Sequence, residues 1–305
     1  MQPLIAKIGE RSRGTFAGVQ AASESTRRAV FLDFDGTYAD HGVVPAGHVD
    51  AVRSARAAGN VVFLCTGRPR SMLLPSVLAE FDGFVAAAGG YVEVAGRVLA
   101  DQRFPAGLGR RLVARLDEHD VAYLLEAPEA VYGPVGVDER LATLLAGHLR
   151  SSDSPEREGP RDILDVLRMA DDLTSTSFGK VTYFESPVAG AELIGDLGDS
   201  VGVLPSSIPD MGDSAGELYL PAVHKAVGIG VVIDHLGIGR DRVVAAGDGL
   251  NDLEMLQFAA VAIAVEGSDP RVLAVADHIA ARPHEEGLVA AFATLGLTGA
   301  ARPSP

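Results

Sequence analysis

Apolar positions along the chain fall into short runs, and several of these runs end abruptly in polar residues. Ala29-Val30-Phe31-Leu32 leads straight into Asp33-Phe34-Asp35-Gly36-Thr37. Pro45 to Ala58 has helical spacing, stopped by Gly59 and Asn60. Val61-Val62-Phe63-Leu64-Cys65 is a second continuous apolar run and ends at Thr66-Gly67-Arg68. Pro69 to Glu80 predicts another helix, and Phe84 to Ala87 a third short strand. Strands that are apolar throughout, alternating with helices, imply a parallel sheet covered on both faces.

The rhythm changes after Tyr91. Tyr91 to Val98 reads as a hairpin and Leu108 to His119 as an amphipathic helix. Arg150 to Arg161 is a polar loop, and Lys180 to Phe184 and Val201 to Leu204 are short strands. This mixture predicts an α+β insertion. The first rhythm then returns. Ala222 to Leu236 is helical, although Gly228 and Gly230 each cost about 1 kcal/mol there. Arg242 to Ala246 is a strand ending at Gly247-Asp248-Gly249-Leu250-Asn251-Asp252. Leu253 to Ala259 reads as a helix, Val261 to Val265 as a strand, and Val272 to Ala276 as a short helix.

Composition narrows the class. The 305 residues carry 26 Lys and Arg against 41 Asp and Glu, a net charge of −15. Such a field repels nucleic acids and anionic membranes, so neither is an expected partner. The single cysteine, Cys65, excludes an internal disulfide and a multi-cysteine zinc site. Residues 1–25 lack the apolar stretch of a secretory signal, and no run is long enough to span a bilayer. They are expected to form a disordered leader on a cytoplasmic protein.

The polar strand ends carry the candidate chemistry. In open parallel sheets, ligands sit beyond the carboxyl ends of the strands. Neighbouring strands would bring Asp33, Asp35, Asp248 and Asp252 together with Thr66. Four carboxylates in one cleft call for a divalent cation, and an all-oxygen set without Cys or His suits Mg²⁺. Asp33 and Asp35 point the same way from an extended strand. Taken alone, Asp33 to Thr37 reads equally well as a strand ending in an Asx-turn. Thr66 with the Gly67 and Arg68 amides reads either as a phosphate site at a helix N-terminus or as a plain strand-to-helix turn. Lys225 has apolar neighbours, which fits a lysine pointed at a carboxylate cluster, but a solvated position is the common fate of lysine.

Taken in order, Asp33-Phe-Asp-Gly-Thr37, Thr66-Gly-Arg68, Lys225 and Gly247-Asp-Gly-Leu-Asn-Asp252 resemble the four motifs of the haloacid dehalogenase-like (HAD) superfamily. The long insertion resembles the cap of its Cof-like branch. The resemblance implies an α/β fold, a doubly wound, Rossmann-like parallel core with an inserted α+β cap. It places the core at 26–101 and 206–297, the cap at 102–205 and a tail at 298–305. It implies a Mg²⁺-dependent phosphatase acting on a small phosphorylated metabolite, such as a sugar phosphate, through an aspartyl-phosphate. Asp33 would be the nucleophile and Asp35 the acid and then the base. Thr66, Gly67, Arg68, Lys225 and Asn251 would bind the phosphate. Asp33, the Asp35 carbonyl and Asp248 would hold the cation, with Asp252 orienting Lys225 or a metal-bound water. A phosphomutase and a non-catalytic phospho-ligand binder are the alternative functions. Three departures from the family pattern stand out: Ala88-Gly89-Gly90 where many relatives have Asn-Gly-Ala, Ala226 after the motif lysine, and Tyr38 after Thr37. His41 and His48 could line the cleft, and Lys180 and Arg168 could contact a substrate from the cap, though a solvated face is the commoner fate. His224 and Cys65 read as structural.

Overall fold

A computed structural model describes residues 27–40, 42–150, 161–206 and 212–298. The leader, His41, most of the polar loop and residues 299–305 lie outside the described residues.

The first sheet has eight strands in the order β14-β13-β12-β1-β2-β3-β4-β5. In chain order these are β1 (Ala29–Leu32), β2 (Val61–Cys65), β3 (Gly83–Ala86), β4 (Tyr91–Val94), β5 (Arg97–Asp101), β12 (Val243–Gly247), β13 (Val261–Val265) and β14 (His278–Ala280). From β14 to β3 all pairings are parallel, and β4 and β5 add an antiparallel hairpin edge. The continuous apolar runs are explained by burial on both faces. Val30 and Leu32 pack toward α1 (Ala46–Ala57) and α10 (Gly287–Thr294). Ala29 and Phe31 pack toward α7 (Lys225–Leu236) and α8 (Leu253–Phe258). The chain runs from β1 toward β3 on one side and returns through β12 on the other. The order therefore reverses beside β1, which opens a crevice at the strand ends.

The second sheet has six strands in the order β10-β11-β9-β6-β7-β8. They are β6 (Ala122–Glu126), β7 (Val131–Pro134), β8 (Leu167–Ala170), β9 (Lys180–Phe184), β10 (Gly202–Pro205) and β11 (Gly216–Tyr219). The helices of this part are α3 (Ala106–Glu118), α4 (Val137–Arg150), α5 (Arg161–Val166) and α6 (Gly190–Ile194). One face packs Leu112, Leu116, Tyr123 and Val181 into a separate core beneath α3 and α6. β11 still belongs to this sheet, so the chain returns to the first sheet after Tyr219, later than the boundary expected at 206.

Local expectations failed where a proline or a cap decided the matter. The helix expected over 69–80 is a single turn at Arg70–Met72 followed by α2 (Pro75–Leu78). Leu74 precedes Pro75 and is extended, at φ −68° and ψ 134°, because proline clashes with a helical residue before it. The helix expected over 272–276 is α9 (Pro270–Leu273). Asp269 caps it by accepting the Arg271 amide, and Pro270 fits the first turn.

Candidate active site

Four loops at the crevice bring the motif residues together. Asp33 follows β1, Thr66 follows β2, Lys225 opens α7, and Asp248 to Asp252 follow β12. Lys225 is fully buried, with its Nζ 2.5 Å from both Asp33 Oδ1 and Asp252 Oδ1. It is not solvated. Burial works against its charge, but Asp252 and Asp33 outweigh burial and hold its pKa above the usual lysine value. Asp33 is pushed well above the usual carboxylate range, by burial first and then by Asp252, with Lys225 opposing. Asp248 is raised to about 6, mainly by burial, while a hydrogen bond from Thr37 opposes the shift.

Backbone geometry holds these groups close. Gly36 has φ +83°, and a Cβ there would lie 2.3 Å from Asp248 Oδ2, so only glycine fits beneath that carboxylate. Thr37 donates to Asp248 Oδ1 at 2.7 Å. Asp252 is fully buried and both its oxygens are occupied. Oδ1 takes Lys225, and Oδ2 accepts the amides of Asp248 at 3.1 Å and Gly249 at 2.9 Å.

Oxygen atoms of Asp33, Asp248 and Asp252 lie within 4.8 Å of one another. When these are ionised, the cluster sets three negative charges against the one positive charge of Lys225. The excess of two and the hard oxygen donors fit a divalent cation such as Mg²⁺. Both Asp252 oxygens carry hydrogen bonds from the protein, whereas Asp33 and Asp248 open onto a cavity. The Asp35 side chain points elsewhere, toward the rim. Its Oδ2 and Oδ1 accept Arg68 Nε at 2.8 Å and Nη2 at 2.7 Å, and the guanidinium also lies over the Phe34 ring.

Two expectations need correction. The Thr66-Gly67-Arg68 loop does not open a helix: Pro69 is extended, a single turn follows, and the Arg68 amide donates to Thr66 Oγ1 at 3.1 Å. His48 does not line the cleft. It is 1% exposed, its Nδ1 lies 2.9 Å from the Tyr38 carbonyl, and its Nε2 accepts the Leu288 amide. Cys65 is a buried free thiol, as expected, and burial pushes its pKa up. His224 sits at the N-cap of α7, and Arg168 is exposed on β8.

A cavity of about 290 Å³ opens onto Asp33, Asp35, Thr66, Asp248 and Asn251. Its far wall comes from the second sheet, through Glu126, Lys180, Thr182 and Glu217. Lys180 is 4% exposed, not on a solvated face. Sequence reasoning missed Glu126, Thr182 and Glu217. The one signal was a charged residue closing the apolar stretch Ala122-Tyr-Leu-Leu, in a strand the pattern had not revealed.

A family model described as haloacid dehalogenase-like hydrolase matches residues 30–292. The chain belongs to this family. A Bacillus subtilis protein, YkrA, named as a phosphatase, is 27% identical over 277 residues, covering 88% of this chain and 98% of that protein. The solved sugar phosphatase BT4131 of HAD subclass IIB superposes with a TM-score of 0.72 at 21% identity, covering 88% of this chain and 99% of that one. BT1666 from Bacteroides thetaiotaomicron superposes at 0.71, also at 21% identity, covering 93% of this chain and 100% of that one. The expected fold, a doubly wound HAD core with an α+β cap, and the expected Cof-like HAD membership are both met. Among the described residues, no helix is long and apolar enough to cross a membrane.

Proposed function

We propose that this HAD hydrolase is a Mg²⁺-dependent phosphatase acting on small phosphate monoesters through an aspartyl-phosphate. The observation that carries the reading is the convergence of Asp33 and Asp248 on one cavity, with Asp35 at its rim and the buried Lys225 bonded to Asp33 behind it. An Asp33 carboxylate oxygen attacks phosphorus as the bond to the leaving oxygen breaks, and the Asp35 carboxyl gives that oxygen its proton. The Asp35 carboxylate then takes a proton from water, whose oxygen attacks the phosphorus of the acyl phosphate and regenerates Asp33. Asp35 reaches the leaving oxygen by exchanging its bond to Arg68. Lys225 faces the transferring phosphoryl group with a charge that Asp252 keeps in place. Asp33, the Asp35 carbonyl and Asp248 would hold Mg²⁺, which supplies Lewis-acid neutralisation of the phosphoryl oxygens when bound. Thr66 and Asn251 line the phosphate end of the cavity.

Residues 27–101 and 220–298 would then form the catalytic core, and the second sheet the cap that covers it. Relatives named as 5-amino-6-(5-phospho-D-ribitylamino)uracil phosphatases, including YitU of Bacillus subtilis at 36% identity over 72 residues, support a metabolite phosphatase. The test is Mg²⁺-dependent release of p-nitrophenol from its phosphate ester by wild type and Asp33→Asn. The variant should lose about a thousandfold in kcat, in line with removal of a nucleophile. Retained turnover in a clean preparation would refute the assignment.

A further inference from the structure

The second-sheet wall of the cavity has no use in the phosphoryl chemistry, yet it buries charge. Lys180, Thr182 and Phe184 alternate on one face of β9 and all reach the cavity. Glu126 stands opposite Lys180 in the strand register, and Glu217 opposite Thr182. Burying such groups is costly, so their pairing defines what the wall can offer.

The donors on this wall are turned onto the protein's own acceptors. The Lys180 ammonium donates to the Gly67 carbonyl at 3.0 Å and to Glu217 Oε1 at 2.9 Å, and it stands 3.3 Å from Glu126 Oε2 as an ion pair. Thr182 donates its hydroxyl proton to Glu126 Oε1 at 2.5 Å, leaving only lone pairs. The acceptors are not saturated. Glu126 is 6% exposed, and its buried Oε2 has only the long Lys180 contact and no hydrogen bond. When both are ionised, two carboxylates against one ammonium leave the wall with one excess negative charge; burial raises the Glu126 pKa, and Lys180 opposes that shift. Across the cavity, Arg68 is matched by Asp35.

We propose that Glu126, Thr182 and Glu217 form an acceptor wall that selects phosphate esters whose alcohol part presents hydroxyl or ammonium donors, and rejects those carrying a carboxylate or second phosphate there. This rests on the phosphatase reading above. Glu126 and Glu217 act as specificity residues: a donor-bearing leaving group meets the Thr182 lone pairs and the more exposed Glu217 carboxylate, with the buried Glu126 adding its charge behind them, whereas an anion meets uncompensated like charge in a confined space.

The test compares glycerol phosphate with phosphoglycerate, which differ by a hydroxymethyl against a carboxylate, and adds p-nitrophenyl phosphate as a reporter of the phosphatase reading. Wild type should prefer glycerol phosphate by at least about tenfold in kcat/KM, as a like-charge clash of this kind demands. Glu126→Gln and, separately, the more exposed Glu217→Gln should each shrink that ratio at least about threefold. The ratio cancels any general loss of activity, and a thermal melt confirms that each variant is folded. Equal use of the two substrates by wild type would overturn the proposal. So would a ratio unchanged in both folded variants, in each case with p-nitrophenyl phosphate still hydrolysed. No hydrolysis of any ester would instead overturn the phosphatase reading, and this proposal with it.

Discussion

Replacing Asp252 by Asn tests whether this residue positions Lys225 or serves as a direct metal ligand. The carboxylate accepts three hydrogen bonds in a fully buried site: Lys225 at 2.5 Å on one oxygen, and the Gly249 and Asp248 amides at 2.9 and 3.1 Å on the other. Asparagine has the same shape but offers one oxygen and one NH₂. If its oxygen faces Lys225, its NH₂ confronts two backbone N–H groups. If it is turned the other way, the NH₂ confronts the ammonium. Each buried donor left unmet costs roughly 1–3 kcal/mol, so the variant should lose about 3 kcal/mol. At roughly 2–4 °C per kcal/mol for a large domain, the melting temperature should fall by about 6–12 °C. The decisive measurement is a thermal melt of wild type and Asp252→Asn in EDTA. A direct ligand in a metal-stripped cluster is a repulsive third carboxylate, and its neutralisation would raise stability. A positioning residue gives the opposite sign. A melting temperature in EDTA that is unchanged or higher would refute the reasoning.

Two further predictions follow from burial and packing. Gly228→Ala and Gly230→Ala should have opposite signs in chemical denaturation, although both glycines lie in α7. A Cβ at Gly228 would lie 2.5 Å from Val85 Cγ1 and 3.1 Å from Gly89 Cα, so overpacking by about 1–3 kcal/mol outweighs the gain in helix propensity. A Cβ at Gly230 would meet nothing within 4 Å, and alanine there should stabilise by up to about 1 kcal/mol. For His48, burial lowers the imidazole pKa from 6.5, against an opposing bond to the Tyr38 carbonyl. The unfolded chain then binds the proton first, so the His48 contribution is present above the unfolded pKa and is lost as pH falls from there through the lower folded pKa. Urea melts at neutral and mildly acidic pH should show a smaller acid-side loss for His48→Gln than for wild type. An identical loss in both would contradict this.

The candidate motifs at the crevice were legible because each is local: an apolar strand must end somewhere, and the residues at its end face the crevice whatever follows. Helix ends were legible only where the decisive signal was weighed. Pro75 breaks the helix expected from 69, and Asp269 with Pro270 moves the last short helix forward. His48 misled because it follows the nucleophile loop in sequence, while helix α1 turns it inward against Leu288.

What the chain determined by itself is the parallel core and the candidate reacting groups, since both follow from strand-length apolar runs and the polar residues that stop them. What only tertiary structure decided is which groups meet. Lys225 and Asp33 are 192 positions apart and share a hydrogen bond, a relation no local pattern encodes. The same holds for the excess charge on the cavity wall. In the sequence, Glu126 and Glu217 belong to no motif, and Lys180 stands out only as a candidate cap contact. They form the proposed specificity surface only because strand register pairs Glu126 with Lys180 and Glu217 with Thr182, and because burial removes the water that would otherwise mask them.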